Sequence, residues 1–308
     1  MCEATLVLMK VTILGTSAGQ PTETRNVSAV AVSLEGEWLL FDCGEDTQRR
    51  IVAANLKPSR LERVFITHMH GDHIIGLLAL IGTLNLQHRE RPLHLFGPPG
   101  LRDFLETAQR VQVFYPTYEL LINEIHESGE LCRGDGYTVV CAPMNHRITD
   151  YGYKVTESDR PGKFDIERAI SLGVPAGPLF GKLQKGEAVI LADGRTIHPE
   201  DVLGEPRPGK SVAYCTDTRP CESAVDIARG TDLLIHEATY SNEAADYANE
   251  RGHSTAEQAA HIAKKAAVKR LVLTHFSPKY KELDALLEEA SEVFPFTTLA
   301  SDLAEFTL

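Results

Sequence analysis

The sequence lacks any apolar run of the roughly 18 residues that a membrane-spanning helix needs. It also lacks a basic stretch at its start. Met1-Cys2-Glu3-Ala4-Thr5-Leu6-Val7-Leu8 brings in an acid early, which argues against a secretory signal. Met9-Lys10 reads as an alternative start, with the first eight residues an extension. The six cysteines (2, 43, 132, 141, 215, 221) contain no Cys-x-x-Cys pair and read as reduced thiols in a cytoplasmic protein. The Asn26-Val27-Ser28 sequon has no meaning without a secretory route. Gly15-Thr16-Ser17-Ala18-Gly19 follows a strand but lacks the Gly-Lys-Ser/Thr ending of a phosphate loop, so it reads as a turn. Positive charge is scarce too. The net charge of −12 argues mildly against a nucleic-acid binder, although gripping a polyanion needs only a local basic patch.

What is present is histidine and carboxylate in an ordered pattern. Thr67-His68-Met69-His70-Gly71-Asp72-His73 packs three imidazoles and a carboxylate into six residues. It follows Val64-Phe65-Ile66, which reads as a buried strand, and precedes the apolar run Ile74–Ile81, which has helical length. In an extended segment His68 and His70 point the same way, while Asp72 and His73 enter the first helical turn. That arrangement suits two adjacent metal ions, each needing about four to five ligands. A polar loop with surface histidines is the bland alternative, and packing alone rarely gathers four such side chains.

At 308 residues, with 24% charged and 43% hydrophobic residues, the chain has the length and composition of one large soluble domain or two medium ones. Strands are expected at Lys10–Leu14, Val27–Leu34, Glu37–Phe41, Leu93–Phe96, Ser211–Cys215, Leu233–Ile235 and Leu271–Leu273. Extended stretches are expected over Tyr118–Ile125 and Tyr137–Cys141, and helices over Asp46–Leu56 and Leu101–Val111. Ser254 and Glu257 form a capping-box pattern before a further helix. Strands and helices alternate, then strands cluster, then alternation returns. This fits an α/β fold of two mixed sheets with outer helices. Residues 154–209 stand apart: glycine and proline recur and the charges nearly balance, with Lys182 and Lys185 a small basic spot. The segment reads as an insertion or protruding arm. Five strands end in His or Asp: His68/His70, His146, Asp217, His236 and His275. Strand ends of α/β sheets are where sites are built.

The ordered set His-x-His-x-Asp-His at 68–73, then His146, Asp217 and His275, resembles the metallo-β-lactamase superfamily. His236-Glu237-Ala238-Thr239, Gly252-His253-Ser254-Thr255 and Ala300-Ser301-Asp302-Leu303 resemble one branch of it, the short-form ribonuclease Z endonucleases. The likeness runs from Lys10 to Leu303. It implies an αββα sandwich over residues 1–308, with 154–209 an inserted flexible substrate-binding arm. The family's early loop carries Pro-x-Lys-x-Arg-Asn. Here Pro21-Thr22-Glu23-Thr24-Arg25-Asn26 keeps Arg25 and Asn26 but puts Glu23 at the lysine position.

The resemblance implies two zinc ions, with manganese an alternative, since nitrogen and oxygen donors accept both. His68, His70 and His146 would hold one, Asp72, His73 and His275 the other, and Asp217 both. It implies removal of the 3′ trailer from precursor tRNA, leaving a 3′-hydroxyl on the tRNA, by a cytoplasmic homodimer. Asp72 is expected to orient the attacking water. The leaving ribose oxygen needs a proton, for which His253 is the candidate donor and Glu237 its partner. Arg25, Asn26, Lys182 and Lys185 are candidate RNA contacts. Asp42 and Asp302 are candidate carboxylates behind metal-bound histidines, or turn acids. His236 is either a reactant or a buried hydrogen-bonding histidine. His261 and the remaining histidines read as ordinary. The competing functions are hydrolysis of another phosphodiester, such as a cyclic nucleotide, and a non-enzymatic metal or RNA-binding scaffold. The arm and the His236–Thr239 and His253 motifs favour the nuclease over a small-nucleotide hydrolase. The intact ligand set disfavours the scaffold.

Overall fold

A computed structural model describes residues 9–308. The suggested eight-residue extension, with Cys2, lies outside the described residues. The chain divides into two compact units. One comprises the chain up to Arg133, Thr138–Val155 and Ser211–Leu308; the other comprises Gly134–Tyr137 and Thr156–Lys210.

The β-branched and apolar runs build two seven-stranded sheets. The first runs in the order Glu305–Thr307, Lys10–Gly15, Ala29–Ser33, Trp38–Phe41, Leu61–Phe65, Leu93–Gly97, Leu120–Glu124. Its first four strands pair antiparallel and the rest parallel, so it is mixed. The second runs Thr297–Leu299, Leu271–Thr274, Leu233–Glu237, Ser211–Cys215, Tyr151–Glu157, Tyr137–Pro143, Gly129–Gly134, with parallel pairing through the first four. The inner faces of the sheets meet on aromatic rings. Phe65 stacks on Phe41 and Phe96 at 5.0 Å each, Tyr153 lies 5.5 Å from Phe65, and Tyr214 lies 6.3 Å from Phe41. Helices cover the outer faces. Gly71–Leu86 and Leu101–Arg110 pack on the first sheet; Glu222–Ala228, Ala256–Lys265 and Asp284–Val293 pack on the second. The expected αββα layering is therefore present.

Helix Gly71–Leu86 shows why the site sits where it does. Ile74, Leu77, Leu80, Ile81 and Leu84 are buried at helical spacing, each worth about 1.5–3 kcal/mol over exposure. That burial anchors the helix against the sheet and fixes its N-terminal turn, which carries Asp72 and His73.

Several boundaries differ from expectation. The strand before the histidines begins earlier, at Leu61. The helix expected over Asp46–Leu56 is shorter, Thr47–Ala53, because Asn55 takes a left-handed conformation (φ 53°) that stops it. The capping box lies one residue later than the Ser254–Glu257 pattern. Thr255 caps the helix and Gln258 returns the bond, while the Ser254 hydroxyl instead donates to the Thr218 carbonyl at 2.6 Å. Strand Gly129–Gly134 was not expected from the sequence.

In the second unit, helices Ile166–Ser171 and Pro178–Gln184 and the pair Val189–Ile190/Thr196–Ile197 share an apolar core. Ala169, Leu183 and Ile197 are among its buried residues. The five described cysteines are all free. Among the described residues no helix is long and apolar enough to cross a membrane.

Gly76 marks a close approach between the site helix and the loop after Trp38–Phe41. A Cβ there would lie 1.9 Å from the Gly44 carbonyl oxygen. Gly76→Ala should therefore cost about 1–3 kcal/mol of stability through overpacking, read as a lowered denaturation midpoint. An unchanged midpoint would mean that the loop yields freely.

Candidate metal centre

Five of the site residues come from the turn after a strand, and Asp72 and His73 from the first turn of helix Gly71–Leu86. His68 and His70 follow Leu61–Phe65, His146 follows Tyr137–Pro143, Asp217 follows Ser211–Cys215 and His275 follows Leu271–Thr274. Asp217 and His275 take left-handed backbone conformations (φ 46° and 56°), as does Asp42 (φ 57°) after Trp38–Phe41. Three such turns at one place are a source of strain that the sheets hold in position.

The side chains converge in two sets. His68, His70, His146 and Asp217 offer donor atoms close together, as do Asp72, His73 and His275. The two carboxylate oxygens of Asp217 divide between them. Oδ2 lies 3.6 Å from His68 Nε2, while Oδ1 lies 3.3 Å from His73 Nε2 and 3.2 Å from His275 Nε2. Asp72 Oδ2 completes the second set at 3.3 Å from His73 Nε2 and 3.5 Å from His275 Nε2. Asp217, His253 and His275 form a third, overlapping set.

The outward nitrogens are held by the protein. His73 Nδ1 bonds Asp42 Oδ2 at 2.7 Å, His275 Nδ1 meets Thr239 Oγ1 at 2.9 Å, and His68 Nδ1 meets Thr67 Oγ1 at 2.9 Å. His146 Nδ1 donates to the Gly252 carbonyl at 2.8 Å. Gly252 itself sits at φ 87°, and a Cβ there would approach His146 Nδ1 to 2.8 Å. These bonds leave Nε2 of four imidazoles facing the centre, while His70 presents Nδ1, 2.9 Å from His68 Nε2.

The donor set fits a metal pair. Nε2 of His73 and of His275 is buried without a hydrogen-bond partner. Burial, and then His73, hold His68 well below the usual imidazole range, and burial lowers His70 and His146, so all three are neutral donors. Burial pushes the carboxyls of Asp72 and Asp217 up, but the surrounding histidines outweigh it and keep both ionised. Burial likewise lowers His73, and Asp217, Asp42 and Asp72 outweigh it, raising it well above the usual range. Three carboxylates around one ring call for positive charge, which a dication there would supply.

Comparison with known proteins agrees with this geometry. A model described as Beta-lactamase superfamily domain matches residues 189–276, and one described as Anti-Pycsar protein Apyc1 matches residues 9–110. Ribonuclease Z of Cyanothece sp. (strain PCC 7425) is 46% identical over 307 residues, covering 97% of this chain and 96% of its own length. Ribonuclease Z of Nostoc punctiforme is 46% identical over 301 residues, covering 96% and 94%. The chain belongs to the ribonuclease Z family.

Among solved structures, human tRNase Z, short form, superposes with a TM-score of 0.70 at 29% identity, covering 97% of this chain and 98% of its own. The metallo-β-lactamase fold protein YhfI from Bacillus subtilis gives 0.69 at 19% identity, covering 98% and 100%, which bears on the fold alone.

Other expected residues of this ribonuclease Z family member fall as follows. His253 Nδ1 lies 3.0 Å from Glu237 Oε1, and His253 stands beside the cluster, its ring 5.3 Å from that of His146. An open cleft of about 380 Å³ is lined by His70, Asp72, Asp217, His253 and His275, with Arg147 and Tyr240 also lining it. Asp42 is the carboxylate behind His73. Asp302 is not such a carboxylate. It accepts from Thr16 Oγ1 (2.8 Å), the Asn26 amide (2.7 Å) and Arg50 (2.9 Å), tying the early loop to the C-terminal segment. Arg25 donates to the Tyr280 carbonyl at 2.9 Å and the Asn26 side chain to the Glu45 carbonyl at 2.8 Å, so both side chains hold the protein's own backbone. His236 is a buried hydrogen-bonding histidine, bonded through Nδ1 to the Glu237 carbonyl at 2.8 Å. His261 is exposed beside Glu257 at 3.5 Å. Lys182 and Lys185 are exposed in the second unit. The roles of Thr239 and Asp150 were not legible beforehand, since Thr239 reaches His275 and Asp150 reaches the side of His68 only through the fold.

Asp42→Asn should weaken metal binding by about 10–100-fold, measured by competition against a chromophoric chelator, while the far-UV spectrum stays unchanged. Undiminished affinity would remove Asp42 from the support of His73.

Proposed function

We propose that this chain removes the 3′ trailer from precursor tRNA, leaving a 3′-hydroxyl on the tRNA and a 5′-phosphate on the trailer. The observation that carries the reading is the divided Asp217 carboxylate between two imidazole sets, in a chain 46% identical to proteins named ribonuclease Z. His68, His70 and His146 would hold one zinc ion, Asp72, His73 and His275 the other, with Asp217 shared; manganese suits the same donors. Such a pair lowers the pKa of water and stabilises charge growing on the phosphoryl oxygens.

The chain's own groups do the rest. Asp72 Oδ2 is steadied by the Gly19 amide at 2.7 Å and orients the attacking water. Arg147 offers the phosphate a cation on the cleft wall. His253 hands a proton to the leaving ribose oxygen. Its Nδ1 is committed to Glu237, so delivery falls to Nε2. Glu237 is fully buried and accepts from the Thr218 amide (2.6 Å) and Thr239 Oγ1 (2.5 Å) as well, which fixes its direction. Burial pushes the His253 imidazole down, but the Glu237 charge and hydrogen bond, with Asp217, outweigh it and hold it at about 9. The ring therefore stays protonated at neutral pH, the form an acid catalyst needs.

The Thr156–Lys210 unit serves in this reading as the arm that grips the RNA through phosphate contacts, with Lys182 and Lys185 among them. Arg25 and Asn26 support the early loop beside the substrate. The enzyme is proposed to work in the cytoplasm as a homodimer, each arm serving the partner's site. Free cysteines suit a reducing compartment, and the family resemblance supports the dimer.

The deciding assay uses precursor tRNA with a 3′ trailer, comparing wild type, chelator-treated protein and Asp72→Ala, with end-group mapping. A metal-dependent cut after the discriminator base, lost in the variant, is expected. No cut, with a small phosphodiester still hydrolysed, would move the substrate to that class. His253→Ala should slow turnover by roughly two to four decades at unchanged zinc content. Lost zinc would instead make His253 a ligand, as the third donor set allows. With pKa raised, His253 loses its proton as pH rises through about 9, so the rate should fall there. Glu237→Gln should bring that limb down toward the ordinary imidazole value of about 6.5. A limb that stays put would separate it from this pair. Deleting residues 160–205 should abolish tRNA cleavage and spare a small phosphodiester; equal loss of both would count against the arm.

A further inference from the structure

Asp150 sits in the turn between strands Tyr137–Pro143 and Tyr151–Glu157 and is only 2% exposed. Neither of its carboxylate oxygens has a hydrogen-bond partner. Burying such a group without a partner is costly, so its retention points to a task. Its Oδ2 lies 3.8 Å from His68 Nδ1. The backbone locks it there: the Asp150 carbonyl accepts from the Met144 amide at 2.8 Å, and the Tyr151 amide donates to the Thr67 carbonyl, next to His68, at 3.1 Å. The nearer partner of His68 Nδ1 is Thr67 Oγ1. That hydroxyl lies 3.0 Å and 3.1 Å from the two oxygens of Asp42, which take its hydrogen, so toward His68 it acts as acceptor. His68 Nδ1 therefore carries its proton, and the Asp150 carboxylate lies alongside that N–H.

We infer that Asp150 is a positioning residue for His68: it holds the Nδ1–H tautomer, so that Nε2 faces the donor set of His70 and His146. The inference rests on the two-metal reading above. It gives the first metal position what Asp42 gives the second, a buried carboxylate behind one imidazole. A dication on Nε2 would strengthen the Nδ1–H as a donor and would stabilise negative charge on Asp150, whose carboxyl burial and the charges of Asp217 and Asp42 push well above the usual range.

The test titrates zinc into metal-free wild type, Asp150→Asn and Asp150→Ser against a chromophoric chelator, and records the melting temperature of each metal-free protein. Both variants should bind one of two zinc ions about 10–100-fold more weakly and the other as wild type does. Their metal-free melting temperature should hold or rise, because a buried carboxyl group without a hydrogen-bond partner has gone. Opposite movement of the two readouts is what a purely structural role would not give. Unchanged zinc affinities would overturn the proposal. So would affinity and metal-free melting temperature falling together. A wild type that takes up fewer than two zinc ions would overturn the two-metal reading, and Asp150's role with it.

Discussion

The buried Asp217 carboxylate is the constraint on which the rest depends. It is 3% exposed, stands in a left-handed turn, and sends one oxygen to each of two imidazole sets. An isolated carboxylate in that position would be expelled or neutralised. Here histidines from four separate loops surround it, so the site exists only if both sheets form and align their strand ends. The aromatic contacts of Phe41 and Phe65 with Tyr153 and Tyr214 make that alignment rigid, because packed interiors transmit displacement rather than absorb it. Local strain at Asp42, Asp217 and His275 is tolerated for the same reason.

Around this centre the protein separates two kinds of histidine. Four of those facing the centre, His73, His68, His275 and His146, have the far nitrogen fixed by Asp42, Thr67, Thr239 and the Gly252 carbonyl in turn. His253 differs from His68, His70 and His146, which burial lowers: its partner is the ionised, fully buried Glu237, which raises its affinity for a proton. Three neutral donors, His68, His70 and His146, and a charged acid, His253, thus lie beside one another because burial dominates at the first three and the Glu237 charge at the fourth. The net charge of −12 is not at odds with an RNA substrate, since part of the acid content is folded inward around positions suited to cations.

Much of this was legible in the chain. The His68–His73 cluster is local, so alternation and the onset of a helix were enough to order its side chains. His146, Asp217 and His275 were legible as polar residues at strand ends. The layering followed from the order of apolar runs. What the sequence hid was set by long-range contact. Asp302 has the look of Asp42, yet one meets Arg50 and the other His73, and only the fold decides which. Asp150 looks like any turn acid until its burial is seen. The capping residue was misplaced by one because Ser254 and Thr255 are both good caps, and a tertiary bond to the Thr218 carbonyl takes Ser254 away.

The most direct measurement is a crystal structure of the zinc-loaded protein, with anomalous scattering used to place the metals. Two zinc ions per chain are predicted, one on His68, His70 and His146, one on Asp72, His73 and His275, with Asp217 contributing an oxygen to each. A single zinc held by Asp217, His253 and His275 would contradict the account, because Asp217 would then bridge nothing and His253 would have no proton to give.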